Sequence, residues 1–133
     1  MKKTVGILVL LLFIFACREQ KKNSVAEKLN DDIMKIHDEA MSKSAYVLKL
    51  KGKVNVLLDS LNIPFDRDTL QQLSSDLYKA DRLMLDWMHQ YKEPDLKSDT
   101  AERYLQKQLD MITEVHEITF KSIQSAERIL YEK

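Results

Sequence analysis

The chain has 133 residues, with 21 Lys and Arg against 21 Asp and Glu, and therefore carries no formal net charge. That balance argues against nucleic acid binding, for which a basic face is the usual electrostatic footprint. A single cysteine excludes a disulfide within the chain, so apolar packing must stabilise the fold.

The first 17 residues have the three-part form of a secretory signal peptide: two lysines, an apolar run, and a small residue, Ala16, directly before Cys17. The 12 residues from Val5 to Ala16 are too few to cross a membrane, which takes about 20. Ile14 to Cys17 resembles the lipobox of bacterial lipoproteins, in which the peptide is cut before a cysteine that then receives lipid. We expect a signal peptide at 1–16 and lipid on Cys17; a signal peptide without lipid attachment is the alternative.

The residues after Cys17 predict where the chain resides. Arg18, rather than aspartate, favours the outer membrane under the sorting rule of enteric bacteria. The segment 18–22 lacks an acidic cluster that would resemble a surface-export signal, so we expect the periplasmic face. Cleavage leaves 133 − 16 = 117 residues, enough for one domain. We expect a polar tether at 17–23 and one folded domain at 24–133.

The first predicted helix covers 24–61. Its apolar residues recur three and four positions apart, with one gap at Lys43. Gly52 also lies inside it, and a glycine in a helix interior costs roughly 0.5–1 kcal/mol relative to alanine. A bend, a break into two helices, a close approach of another backbone and an exposed glycine without a role all remain open at Gly52.

Two further helices are predicted, at 66–92 and 98–132. Pro64 stops the first helix, and Asp66 is a suitable N-cap for the second. The second helix has an apolar stripe that we expect to be buried: Leu70, Leu73, Leu77, Ala80, Met84, Trp87 and Tyr91. Short loops make consecutive helices antiparallel neighbours, so the predicted fold is all-α, an up-down-up three-helix bundle.

Antiparallel packing of the first two helices places methionine and histidine residues at one level. His37 and Met41 on the first helix come level with Met84 and Met88 on the second. Thioether and imidazole ligands suit copper, and a His/Met pair can also ligate haem iron. Methionines at helical spacing more commonly fill a core. The four residues therefore predict either a core layer or a copper or haem site.

The sequence contains no motif that indicates catalysis. It has no glycine-rich phosphate loop, no His-Glu-X-X-His zinc motif and no nucleophile elbow. Its only cysteine is expected to carry lipid. We therefore expect a protein that is not an enzyme and has no cofactor other than the lipid on Cys17.

Five segments carry a resemblance to a known family: His37-Asp38-Glu39-Ala40-Met41, Ala80 to Met88 (ADRLMLDWM), Tyr91-Lys92, Tyr104-Leu105 and Ser122 to Glu127 (SIQSAE). They are similar to a family of small uncharacterised helical lipoproteins of Bacteroidetes-type Gram-negative bacteria. Some members carry the label "viral A-type inclusion protein", which reflects coiled-coil similarity. The resemblance covers most of the chain after cleavage and implies no activity.

The shared segments suggest an interaction site. The resemblance points to His37, Asp38, Glu39, Trp87 and Met88 as the residues of that site. The expected partners are the membrane, through the lipid, and either another envelope protein or a second copy of the chain. A passive spacer without a partner is a further possibility.

Overall fold

The computed structural model describes residues 25–60 and 65–131, and all regular secondary structure within them is α-helical. The four helices are α1 (Val25–Met41), α2 (Ser44–Leu58), α3 (Arg67–Gln90) and α4 (Ala101–Tyr131). α1 and α2 follow one another as a single bent leg, which packs with α3 and α4 into a three-helix bundle. The predicted all-α bundle is confirmed. The predicted signal peptide, Cys17 and the tether lie outside the described residues.

Side-chain hydrogen bonds show the direction of each leg. The Tyr91 hydroxyl near the end of α3 donates to Asn30 Oδ1 in α1 over 2.7 Å. Ser74, early in α3, donates to Asn55 Oδ1, late in α2, over 2.9 Å. α3 therefore runs antiparallel to the bent leg. α4 runs antiparallel to α3, since the Ser122 hydroxyl donates to the Asp76 carbonyl oxygen over 3.3 Å.

The prediction of one continuous helix over 24–61 is wrong, because a turn at Ser42 and Lys43 divides it. There the Lys43 amide donates to the Ala40 carbonyl, three residues back instead of four, over 3.0 Å. The Ser42 hydroxyl donates to the Glu39 carbonyl over 2.6 Å, a local bond that competes with helical pairing. The break coincides with the gap in the apolar pattern at Lys43 and not with Gly52, which lies within α2.

Two hydrophobic clusters fill the bundle, one on each side of this turn. The tether-end cluster joins α1, the end of α3 and the start of α4, with Ile33 and Ile112 fully buried. The far-end cluster joins α2, the start of α3 and the end of α4 around Leu50 and Leu77. All their buried residues lie between Ala26 and Ala126. A chain that starts at Arg18 therefore keeps every core residue of the two described clusters.

The start of α3 has the predicted cap. Asp66 has an extended backbone, and its carboxylate accepts from the Thr69 amide and the Thr69 hydroxyl, each over 2.8 Å. These hydrogen bonds favour the ionised carboxylate and lower the pKa of Asp66. None of the helices within the described residues is both long enough and apolar enough to cross a membrane.

Candidate functional site

An open cleft lies at the end of the bundle where α1 begins and α3 ends. Its volume is about 390 Å³, within the usual range for ligand sites. The cleft, called the Trp87 cleft below, is lined by Asn30, Met34, His37, Trp87, Met88, Tyr91 and Glu93. It contains three of the five residues of the predicted interaction segment.

A row of rings builds the floor of this cleft. Trp87 is buried and stacks on Tyr91, with ring centroids 4.9 Å apart. The His37 ring lies 5.4 Å from Trp87 on the other side. Tyr104 of α4 continues the row 6.3 Å beyond Tyr91 and accepts a hydrogen bond from the Lys92 amide. Tyr91 is the extended C-cap of α3, and its amide donates to the Trp87 carbonyl over 2.8 Å, which keeps the two rings close together.

Polar groups in the cleft are only partly paired. Trp87 Nε1 is buried and has no acceptor, which typically costs about 1–3 kcal/mol. The Tyr91 hydroxyl is held by Asn30, and burial, followed by the nearby Tyr104 and Glu93, raises the pKa of Tyr91. The cleft therefore combines aromatic and thioether surface with the polar side chains of Asn30, His37 and Glu93.

His37 is held in a fixed orientation. Its Nδ1 lies 2.9 Å from Asp38 Oδ1, and its side chain is 19 % exposed. A carboxylate on Nδ1 favours the tautomer in which Nε2 carries the free lone pair. Glu39, the third residue of that segment, lies instead near α4, with its Oε2 3.5 Å from His116 Nε2. The predicted interaction segment is thus divided between two faces.

The predicted metal residues also divide into two groups. His37 and Met88 line the Trp87 cleft, and Met88 is 43 % exposed. Met84 is buried in the tether-end cluster, and Met41 packs against that cluster. Met34 is the second methionine of the cleft. Among the described residues, no three His, Cys, Asp or Glu side chains are grouped to hold a metal ion.

No sequence pattern assigns Asn30 or Glu93 to a site, and Tyr91 is predicted only as part of the buried stripe. For Asn30 and Tyr91, the spacing along the sequence did contain a signal. Asn30, Met34 and His37 are four and three residues apart, so they share one face of α1. Tyr91 follows Trp87 by four residues, directly after the last residue of α3. Glu93 lies in the loop after α3, where helical periodicity gives no guidance.

The fold places the described residues in the broad class of antiparallel helical bundles with an open aromatic cleft at one end. No protein-family model matches the chain, and neither the curated proteins nor the solved structures contain a match. The resemblance to the lipoprotein family therefore stays a prediction.

Proposed function

We propose that this protein is a lipid-anchored module of the bacterial envelope that is not an enzyme and binds a protein partner, either another envelope protein or a second copy of the chain. The observation that carries the binding role is the Trp87 cleft. Aromatic and methionine side chains are enriched at protein interfaces, where they provide contact area. Met88 is exposed at the cleft, and Trp87 supplies a rigid wall beside it. The occupant we propose is an apolar side chain of the partner.

Location supports the same proposal. The proposed anchor, Cys17, is separated from Val25 by the seven residues 18–24. Such a segment spans at most about 25 Å when fully extended. The Trp87 cleft includes Asn30, one to two turns into α1. A partner in the cleft would therefore meet the bundle close to the lipid surface of the outer membrane, on the periplasmic side.

Site-specific photo-crosslinking in living cells tests the binding role. A photoreactive phenylalanine derivative replaces Met88 in one strain and Leu85 in a control strain. Both positions are exposed on α3, but Leu85 does not line the cleft. We expect a discrete crosslinked envelope protein, or a crosslinked second copy, from position 88 only. Equal products from both positions, or none from either, would contradict the proposed cleft interaction.

Metabolic labelling tests the anchor separately. Cells that express the full chain are fed an alkyne fatty acid, and the protein is examined for incorporated label. We expect label on the natural chain and on the control Lys21→Ala, and none on Cys17→Ser. Label that persists in Cys17→Ser would contradict lipid attachment at Cys17.

A second candidate function is copper binding in the same cleft. Met34, His37 and Met88 all line it, and Asp38 holds His37 so that Nε2 can act as a ligand. Two thioethers and an imidazole are soft and intermediate donors, which suit Cu(I). The described residues place Met41 and Met84 in or against the core, so these two serve as controls.

Competition with a colorimetric Cu(I) chelator decides between the two candidates. If copper binding is correct, residues 18–133 withdraw one equivalent of Cu(I) from the chelator. The double variant Met34→Leu/Met88→Leu then loses this ability, while Met41→Leu/Met84→Leu keeps it. Failure of the natural sequence to compete would exclude the copper site and leave the protein-binding proposal intact.

A further inference from the structure

α2 is apolar on two opposite sides. Val47, Leu50 and Val54 are buried against the bundle. On the outward side, Leu48 is 51 % exposed and Val56 is 68 % exposed. Exposed apolar side chains that adjoin one another commonly mark a surface that contacts a partner or a membrane. The described residues leave this outward side of α2 open.

Gly52 lies at the centre of the outward side. It is one turn from both Leu48 and Val56, and a Cβ added to it would meet no atom within 4 Å. Two exposed tyrosines flank it, Tyr78 from α3 and Tyr131 from α4. These two tyrosines, Leu48 and Val56 are four of the seven exposed large apolar side chains in the described part of the chain.

Lysines surround this apolar strip. Ser44–Leu58 contains Lys49, Lys51 and Lys53 and no acidic residue. Lys51 Nζ lies 4.7 Å from the centre of the Tyr78 ring. Lys53 Nζ lies 4.8 Å from the centre of the Tyr131 ring and donates to its hydroxyl over 2.7 Å. The α2 face is defined here by these residues: Leu48, Lys49, Lys51, Gly52, Lys53, Val56, Tyr78 and Tyr131.

We propose that the α2 face rests on the surface of an anionic membrane. Exposed aliphatic side chains bordered by lysines are typical of helices that lie in the membrane interface. Tyrosine is enriched at the same depth because its ring is apolar and its hydroxyl is polar. Long lysine side chains cover apolar surface while their ammonium groups stay in water beside lipid phosphates. The α2 face combines all three features.

An acidic protein would also satisfy the charge of the α2 face. The choice of a membrane over a protein rests on the proposed anchor at Cys17, which would keep the bundle beside a bilayer. Seven residues separate Cys17 from Val25, a length that is sufficient for the bundle to lie on its side against a lipid surface. In that position the bent leg of α1 and α2 runs along the lipid surface, and the α2 face meets phosphate groups directly.

Vesicle binding by the unlipidated chain, residues 18–133, tests the proposal without relying on the anchor. The vesicles are pure phosphatidylcholine or phosphatidylcholine with about one third phosphatidylglycerol. We expect at least tenfold stronger binding to the anionic vesicles, and weaker binding as salt is raised. Lys49→Gln/Lys51→Gln/Lys53→Gln should bind roughly 100-fold more weakly, since each lysine near such a surface contributes about fivefold.

A matched variant controls for net charge. Lys28→Gln/Lys79→Gln/Lys107→Gln removes three exposed lysines from the other three helices. We expect its affinity for anionic vesicles to fall by less than about tenfold, compared with roughly 100-fold for the α2 triple variant. Equal binding to both vesicle types would overturn the proposal, as would equal losses from the two triple variants. Binding of an acidic peptide, but not of vesicles, would identify the α2 face as a protein-docking surface and would also overturn it.

Discussion

Gly52→Ala is the substitution whose effect the structure fixes most directly. Gly52 lies within α2, is exposed, and does not have a positive φ. An added Cβ would meet no neighbouring atom within 4 Å. Alanine therefore fits at this position without strain and without a new packing contact. The stability of the variant therefore differs from that of the natural chain only through the different helix propensities of glycine and alanine.

That preference sets the magnitude of the change. Glycine in a helix interior is less favourable than alanine by about 0.5–1 kcal/mol, because the unfolded chain loses more conformational freedom at glycine. We expect the free energy of unfolding to rise by about that amount. For a domain of roughly 110 residues, this corresponds to an increase in Tm of about 2–4 °C.

Urea unfolding of residues 18–133, followed by circular dichroism, measures the effect. The midpoint should rise while the slope of the transition stays unchanged, since the same surface is exposed on unfolding. Lys49→Ala is the control, because it changes another exposed position of α2 from one good helix former to another. An unchanged or lowered midpoint in Gly52→Ala would refute the reasoning. A lowered midpoint would show that the natural fold needs glycine there, through a bend or a close approach of another backbone.

Three further outcomes are expected. Leu77→Ala should lower the free energy of unfolding by about 2–5 kcal/mol in urea titrations because Leu77 is fully buried, whereas Leu85→Ala on the exposed side of α3 should cost less than about 1 kcal/mol. Asp66→Ala should lower Tm at neutral pH. Because the pKa of Asp66 is lowered in the folded state, its contribution is present above the unfolded pKa and disappears as pH falls through the folded pKa. The two melting curves should therefore converge in acid, and a difference that persists would contradict the capping role. Tyr91→Phe should cost about 0.5–1.5 kcal/mol through loss of the bond to Asn30, and a double-mutant cycle with Asn30→Ala would give additive losses if that bond did not form.

The apolar stripe of α3 could be predicted from sequence alone. Leu70, Leu73, Leu77, Ala80, Met84 and Trp87 are all buried, as expected from their spacing. Tyr91, the seventh predicted position, is only half-buried, because α3 ends at Gln90 and Tyr91 is its extended C-cap. The spacing of apolar residues by three and four predicts burial in α3 because one face of this regular helix contacts the core along its whole length. The bounds of α3 and α4 differ from the predicted 66–92 and 98–132 by no more than three residues at either end.

The bent leg was harder to predict because two features competed. Gly52 has the lower helix propensity, yet α2 continues through it. The turn falls at Lys43, where the apolar pattern of the predicted helix is interrupted. Ser42 and Ser44 on either side form local hydrogen bonds. The buried Leu50 and Val54 pack against the other two legs and stabilise α2 around Gly52, whereas position 43 contributes no apolar side chain to the core. Tertiary contacts thus outweighed local propensity.

The candidate site was likewise predictable from sequence only in part. Registration of the antiparallel helices brought His37 level with Trp87 and Met88, and the structure places all three around the Trp87 cleft. The registration predicted from sequence could not distinguish Met84, which is buried, from Met88, which lies four residues later and is exposed. The boundary between the buried and the exposed side of a helix is gradual. The position of the neighbouring helix decides whether a residue near that boundary is buried or exposed.

By itself, the sequence determined the helical class, the order of the legs and the buried stripe of α3, because each follows from spacing along one helix. The predictions on Cys17 and the envelope also rest on sequence alone. Only the tertiary structure decided where the first helix bends, which methionines face a cleft and which side of α2 the described residues leave uncovered. These features depend on how separate helices meet, and residue order does not specify those contacts locally.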